Sequence, residues 1–229
     1  MPAPQLSQIL YRYGGQSYRF AEDVTRLHVS DLYQMCFRQV FFIAKEGVAY
    51  NRSIAPKLQM KFEMGRAIEK VIKGWLKDKG LTETEELELI DHDLGIVGHA
   101  DARLTNGMLL EIKAKDPAVF RLTRRAPLRR DQFQLEVYLW IDQTKMGDLL
   151  CVTWGDEKNP YRDTIVKYNL KVGELVKRRV SEFRDAQAGG KIPDRICKNA
   201  SDPLATLCPV KAQCFAHEGN ITKTIADSL

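Results

Sequence analysis

Three acidic residues are spaced so that they could act together. Glu69 closes a GxxxE pattern that begins at Gly65, Asp101 ends the run Gly98-His99-Ala100-Asp101, and Glu111 stands two residues before Lys113. Carboxylates drawn from three elements make an oxygen-only ligand set, which suits a hard cation, Mg2+ or Mn2+, that keeps several of its waters. Such a cation can polarise a phosphate and acidify an attacking water. Lys113 is then placed to orient that water or to neutralise developing charge. Glu69 lies at the centre of a stripe formed by Leu58, Phe62, Gly65, Glu69, Ile72 and Leu76. At 100° per residue these positions fall within about 40° either side of one direction. A carboxylate inside an apolar stripe costs several kcal/mol unless it is paired or bound to metal. The structural alternative is a glutamate at the edge of the stripe that meets solvent or an arginine.

Whether Asp101 and Glu111 meet depends on the turn around Asn106-Gly107. A two-residue loop sets 101 opposite 112 and points the two carboxylates to opposite faces. A three-residue loop with Gly107 in the left-handed region sets 101 opposite 111, so that both carboxylates and Lys113 share a face. The sequence permits both. Opposed carboxylates repel unless a cation lies between them, so the second register predicts a metal; a polar, solvated sheet face is the alternative. Gln134 and Tyr138, one helical turn apart, share a face with Ile141 and by themselves read as structural.

Cysteine supplies the second constellation. Cys36, Cys197, Cys208 and Cys214 could hold a [4Fe–4S] cluster or a tetrahedral zinc. Paired CxxC knuckles, which zinc favours, are absent. Free thiols in a helix stripe and a loop are the bland alternative. Cys151, in Leu149-Leu150-Cys151-Val152, reads as core. The third feature is a basic run, Arg121, Arg124, Arg125, Arg129 and Arg130, without an intervening acid. Arginine forks match phosphate oxygens irrespective of base sequence, and Phe120 and Phe133 beside the run could stack on bases. A solvated basic loop is the ordinary fate of such a run.

The elements that must position these residues can be read from period and punctuation. Ser30 is a good N-cap for a helix over 31–45 with Leu32, Cys36, Val40 and Ile43 on one face. A second helix runs over 57–79 and stops at Gly80. Strands follow at 83–90, 95–104 and 108–115, then a helix over 130–145, strands at 149–154 and 164–169, and a helix over 172–188 ending at Gly189-Gly190. This order predicts an α/β (α+β) fold with a mixed central sheet flanked by helices. The expected division is an N-terminal arm over 1–28, a core over 29–190 and a cysteine segment over 191–229 that closes on the N-terminal helix through Cys36.

Composition narrows the function classes. At 229 residues the chain can bury a core without staples, and a hydrophobic share of 44% excludes disorder as its main state. The longest strictly apolar run, Val40 to Ala44, is far short of a membrane span, and no secretory signal is visible, so a cytoplasmic, reducing location is expected. There, cysteines suggest metal before disulfides. The net charge of +5 suits a polyanion but decides little.

In this order, GxxxE, GHAD, ExK and QxxxY on their respective elements, the chain resembles the PD-(D/E)XK nuclease superfamily, in its RecB-like branch. The resemblance spans about residues 30–215. It implies a restriction-endonuclease-like core and divalent-metal-dependent hydrolysis of DNA. Glu69, Asp101, Glu111 and Ile112 would bind metal, Lys113 would serve the nucleophilic water, and Gln134 and Tyr138 would support the site. One early cysteine with three late ones, and the SxLxxCxR pattern over Ser30 to Arg38, are similar to the iron–sulfur CRISPR-associated exonuclease family (Cas four) and to the AddB nuclease domain. That implies a structural [4Fe–4S] cluster, exonuclease action on single-stranded DNA or DNA ends, and recombination or CRISPR-adaptation proteins as partners. Two departures stand out: many relatives have histidine where Glu69 stands, and Cys197 and Cys208 are eleven positions apart where relatives carry one CxxC turn. The rival function is a non-catalytic DNA-binding subunit that keeps the nuclease fold as scaffold.

Overall fold

The computed structural model describes residues 27–46, 56–155, 158–206 and 208–217. Of the arm expected over 1–28, residues 1–26 lie outside this set, as do residues 218–229 of the C-terminal segment. Seven strands form one mixed sheet among the described residues: β1 (Leu27–His28), β2 (Thr82–Asp91), β3 (Ile96–Leu104), β4 (Leu109–Lys115), β5 (Met146–Thr153), β6 (Tyr161–Arg162) and β7 (Ile165–Lys167). The helices are α1 (Phe37–Glu46), α2 (Pro56–Asp78), α3 (Pro117–Leu122), α4 (Arg129–Asp142), α5 (Leu170–Gln187), α6 (Pro203–Thr206) and α7 (Lys211–Ala216). The mixed α/β architecture with helices flanking the sheet is the one the sequence predicts.

β4 and β5 pair in parallel from Leu109–Gly147 to Lys115–Thr153, joined by a crossover through α3 and α4. β2 pairs antiparallel along one edge of β3. The other edge of β3 is divided: β1 pairs in parallel at Ile96 and Val97, and β4 pairs antiparallel at Ala102 and Arg103. Residues 98–101, which carry the GHAD run, face the gap between those two partners.

The β3–β4 hairpin adopts the three-residue loop. Leu104 N–H donates to the Met108 carbonyl at 2.9 Å, Gly107 N–H donates to the Leu104 carbonyl at 2.8 Å, and Gly107 has φ +84°. Asn106 contributes by accepting the Met108 N–H at 3.1 Å through its side chain. The paired rungs Ala102–Leu110 and Arg103–Leu109 therefore continue to 101 opposite 111.

Helix α2 packs Ile68, Ile72 and Leu76 onto Ala102, Leu110, Ile112 and Val152. Strand alternation then turns Glu111, Lys113 and Lys115 to the opposite side of β4, toward α4. Helix α4 lies against β2, β4, β5 and β7 and buries Phe133, Leu135, Val137, Tyr138 and Leu139. Its apolar and polar residues encircle it because it is buried on more than one side. Phe62, expected on the buried stripe of α2, is 46% exposed; burial of that stripe begins further along, at Ile68.

The helix expected over 31–45 is two elements. Val29–Asp31 is a 3-10 turn, and α1 begins only at Phe37. Val29 and Leu32 are buried, and the buried Arg179 guanidinium donates from Nε to the Leu32 carbonyl at 3.3 Å, which fixes the chain in that turn. Cys36 is thereby freed from the helical stripe. Its carbonyl receives the N–H groups of Gln39 at 3.0 Å and Val40 at 3.2 Å, so it caps α1.

The chain divides into two compact units. One holds residues 27–33 and 64–179, with the whole sheet. The other holds the described residues of 34–63 and those from 180 onward. In the second unit Phe41, Phe42, Ala186, Val210 and Cys214 form the core, with Phe37, Val40, Ile43, Ile192, Cys208 and Phe215 against it. Arg38, buried there, donates to the carbonyls of Pro193 at 3.0 Å, Cys214 at 3.0 Å and His217 at 2.8 Å, tying α1 to the C-terminal segment.

Candidate active site

Asp101 and Glu111 come together because the β3–β4 ladder stops where they stand opposed. Instead of a backbone rung, the Asp101 side chain accepts the Ile112 N–H at 2.5 Å. Ile112, expected to contribute to a metal site, thus fixes a carboxylate through its amide. Burial pushes the Asp101 carboxyl up to about 8, and the Glu111 charge adds to this.

Glu111 is 3% exposed. Its Oε1 lies 2.6 Å from Lys113 Nζ, whereas Oε2 is buried with no hydrogen-bond partner. Burial raises its pKa more than Lys113 can lower it. Burial would lower the pKa of Lys113, but Glu111, with Asp131 and Asp101, raises it above the usual lysine value. Two residues on, Lys115 forms a buried ion pair with Asp131 of α4.

Glu69 projects from α2 and is half-buried, not sealed in an apolar stripe. Lys73, one turn along the same helix, is its partner at 2.6 Å, and Lys73 also lies 3.9 Å from Asp101 Oδ1 and 3.4 Å from Glu86 Oε1. Gly65, which opens the GxxxE pattern, is not forced by sterics: a Cβ there would sit 3.9 Å from that of Ala114, an ordinary contact.

Gln134 Nε2 donates to Tyr138 Oη at 2.7 Å. Tyr138 is buried, and burial, followed by the charge on Glu111, pushes its pKa well above the usual phenol range. Its ring lies over Gly98, where an added Cβ would be 2.5 Å from Cε1. The glycine of the GHAD run is there because the tyrosine of QxxxY covers it.

The donor set fits a hard cation. The charge on Glu69 helps raise both Asp101 and Glu111, one buried carboxylate oxygen has no partner, and every candidate ligand atom is oxygen. As they stand, lysines separate these acids, and among the described residues no three His, Cys, Asp or Glu side chains are close enough together to hold an ion.

The basic run is divided in use. Arg121, Arg124, Arg125 and Arg130 are exposed along and after α3. Arg129 is held by Glu136 at 2.8 Å, and Arg130 Nε is 3.5 Å from Asp131 Oδ1. Phe120 and Phe133, expected as base-stacking platforms, are instead buried. Arg162 covers the Phe120 ring at 4.1 Å, and Phe133 packs on Tyr33 with ring centroids 5.6 Å apart. Burial of two phenyl rings outweighs what exposure beside arginines would gain.

Cys36, Cys197, Cys208 and Cys214 all belong to the second unit. Burial pushes the Cys197 thiol up to about 11, and Cys36, Asp202, Cys208 and Cys214 act on it in turn. Cys36 is also raised, by burial and, among its neighbours, by Cys214. Four sulfur donors are a set that suits iron–sulfur or zinc. Cys151 is buried in β5, as expected of a core residue. Sequence reasoning missed Lys73, Glu86, Lys115 and Asp131. Only the Glu69–Lys73 spacing carried a signal, an i,i+4 pair common on any helix.

No family model and no curated protein matches the chain by sequence. Solved structures do match its fold. LHK-Exo in complex with dAMP superposes with a TM-score of 0.57 at 16% identity, over 74% of this chain and 91% of that one. Another structure of this alkaline exonuclease, from Laribacter hongkongensis, gives 0.55 at 14% identity over 79% and 92%. A phage related exonuclease from Haemophilus somnus 129PT gives 0.52 at 13% identity over 71% and 93%. The protein SSO0001 gives 0.52 at 20% identity over 92% and 96%. The chain therefore has the fold of these structures, LHK-Exo and the phage related exonuclease among them. No helix among the described residues is long and apolar enough to cross a membrane.

Proposed function

We propose that this chain is a divalent-metal-dependent DNA nuclease that hydrolyses phosphodiesters as an exonuclease, on single-stranded DNA or DNA ends. The observation that carries the reading is Glu111: a buried carboxylate with one oxygen on Lys113 and the other without a partner, opposite a second carboxylate raised to about 8. A hard cation would relieve both. Glu69, Asp101, Glu111 and the Ile112 carbonyl would hold Mg2+ or Mn2+. When bound, such an ion supplies a Lewis acid and a water acidified for in-line attack.

The protein's own groups do the rest. Lys113 holds Glu111 in place and offers its ammonium to the attacking water or to charge developing on the phosphate. Gln134 and Tyr138 close the site behind Glu111. Exposed Arg121, Arg124, Arg125 and Arg130 supply sequence-independent affinity for the phosphate backbone. The fold of exonucleases supports this reading, and so does dAMP in one of them, since a deoxynucleoside monophosphate is what an exonuclease releases.

In the second unit, Cys36, Cys197, Cys208 and Cys214 would hold a structural [4Fe–4S] cluster, a reading supported by their place in one unit and their all-sulfur donor set. The test of the nuclease uses end-labelled single- and double-stranded DNA with Mg2+ or Mn2+. Cleavage is expected from the wild type and is lost in Glu111→Ala and Lys113→Ala; unchanged cleavage by both variants refutes the site. For the cluster, protein purified without oxygen should be brown and contain iron and sulfide. A colourless sample with stoichiometric zinc would assign the site to zinc instead.

A further inference from the structure

Lys73 is 9% exposed, yet it is surrounded by acids: Glu69 at 2.6 Å, Glu86 at 3.4 Å and Asp101 at 3.9 Å. Two of its partners are the acids assigned to the cation. An ammonium held this close to both carboxylates repels a divalent ion that takes the same two acids as ligands.

Glu86 differs from the other two. Its side chain is 78% exposed, and its backbone has φ +52° in the middle of β2, a conformation L residues rarely adopt. It falls between the rungs Glu85–Ala102 and Leu87–Ala100, which sets it across the ladder from Asp101. Strain of this kind persists where the surroundings fix it, and here it leaves a solvated carboxylate within reach of Lys73. Closing from 3.4 Å to full contact takes a movement of about 0.5 Å. A solvated carboxylate can receive the ammonium without a second burial penalty.

We propose that Lys73 is a tethered counter-cation that holds Glu69 and Asp101 until a divalent ion displaces it, and that Glu86 is the carboxylate that then receives it. Lys73 thereby sets the apparent metal affinity of the site. This rests on the nuclease reading, in that Glu69 and Asp101 are taken as ligands.

The test is calorimetric titration of the full chain with Mn2+ alone, at constant pH and ionic strength, without DNA. Lys73→Met is expected to bind about tenfold more tightly than wild type, equivalent to ~1.4 kcal/mol. Glu86→Gln should bind at least about threefold more weakly, and the double variant should match Lys73→Met, because Glu86 acts through Lys73. Glu88→Gln removes the same charge from the same strand at a site paired with His99, and should bind as wild type does. Equal or weaker binding by Lys73→Met overturns the proposal. So does an equal loss in Glu86→Gln and Glu88→Gln, which would mean a general effect of charge. If Lys73→Met does not fold, the two exposed glutamate variants decide alone. Failure of the nuclease reading looks different: wild type and every variant then bind no Mn2+.

Discussion

Gly98 and Tyr138 belong to motifs 40 positions apart that the fold presses together, and Gly98→Ala tests how tightly. A Cβ at position 98 would lie 2.5 Å from Tyr138 Cε1, 2.9 Å from Val29 Cγ2 and 3.2 Å from Val29 Cβ. Ordinary carbon–carbon contact is about 3.5–4.0 Å, so the tyrosine ring must retreat by about 1 Å or more. Both neighbours are buried, Val29 in the 3-10 turn and Tyr138 on α4, which leaves little room for retreat. Overpacking of this kind costs about 1–3 kcal/mol. It would also stretch the 2.7 Å Gln134–Tyr138 hydrogen bond and shift the wall behind Glu111. A displacement of about 1 Å at a catalytic group can cost about 100-fold in rate.

The assay is urea unfolding of Gly98→Ala, Tyr138→Leu and the double variant, together with DNA cleavage rates. Leucine lacks the ring atom that clashes, so the double variant should be more stable than the sum of the single effects by at least about 1 kcal/mol. Additive effects, or a Gly98→Ala protein within about 0.5 kcal/mol of wild type, would refute the account of why this motif carries glycine.

Three further outcomes follow from charges outside the carboxylate cluster. Lys115→Met strands Asp131 in the interior and should cost about 3–5 kcal/mol by chemical denaturation, while Lys115→Met combined with Asp131→Leu should recover most of the loss. Asp148 is pushed up to about 6 by burial and by Asp163, so its contribution is fully present below about pH 3.8 and is lost as pH rises through 6. Asp148→Asn should therefore exceed wild type in stability by about 1–2 kcal/mol at pH 8, with the gap closing toward pH 4 in pH-dependent melts. Arg38→Met leaves three carbonyls of the C-terminal segment without their donor, and should cost about 3 kcal/mol or more and speed alkylation of Cys214 in protein stripped of metal.

The order of elements and the positions of the three carboxylates were legible because strand alternation and turn residues constrain them locally. The hairpin register was not decided by sequence, since Asn106-Gly107 suits either loop length. What decides it is that Gly107 is left-handed while Asn106 is not, the Asn106 side chain instead holding the Met108 amide. The first helix was misjudged because Ser30 is a good cap in isolation, whereas a hydrogen bond from Arg179, 147 positions away, fixes the chain at Leu32. Phe120 and Phe133 illustrate the same limit. Their neighbours in sequence are arginines, but their neighbours in space are Arg162 and Tyr33. Glu86 left no trace at all, because its significance lies in a backbone angle.

The distribution of the two basic residue types explains why the net charge of +5 said so little. Lysines stand among the acids: Lys73 with Glu69, Lys113 with Glu111, Lys115 with Asp131. Four arginines of the 121–130 run stand exposed. An ammonium is a compact point charge that can neutralise one carboxylate oxygen and leave the other open, which is the state of Glu111. A guanidinium would engage both oxygens in its planar fork and close the position a cation would take. In the exposed 121–130 run arginine stands instead, where its fork suits phosphate oxygens and its charge persists at any working pH. Charge summed over the sequence merges these two groups, although one keeps a carboxylate site from repelling itself and the other would offer a surface to a polyanion.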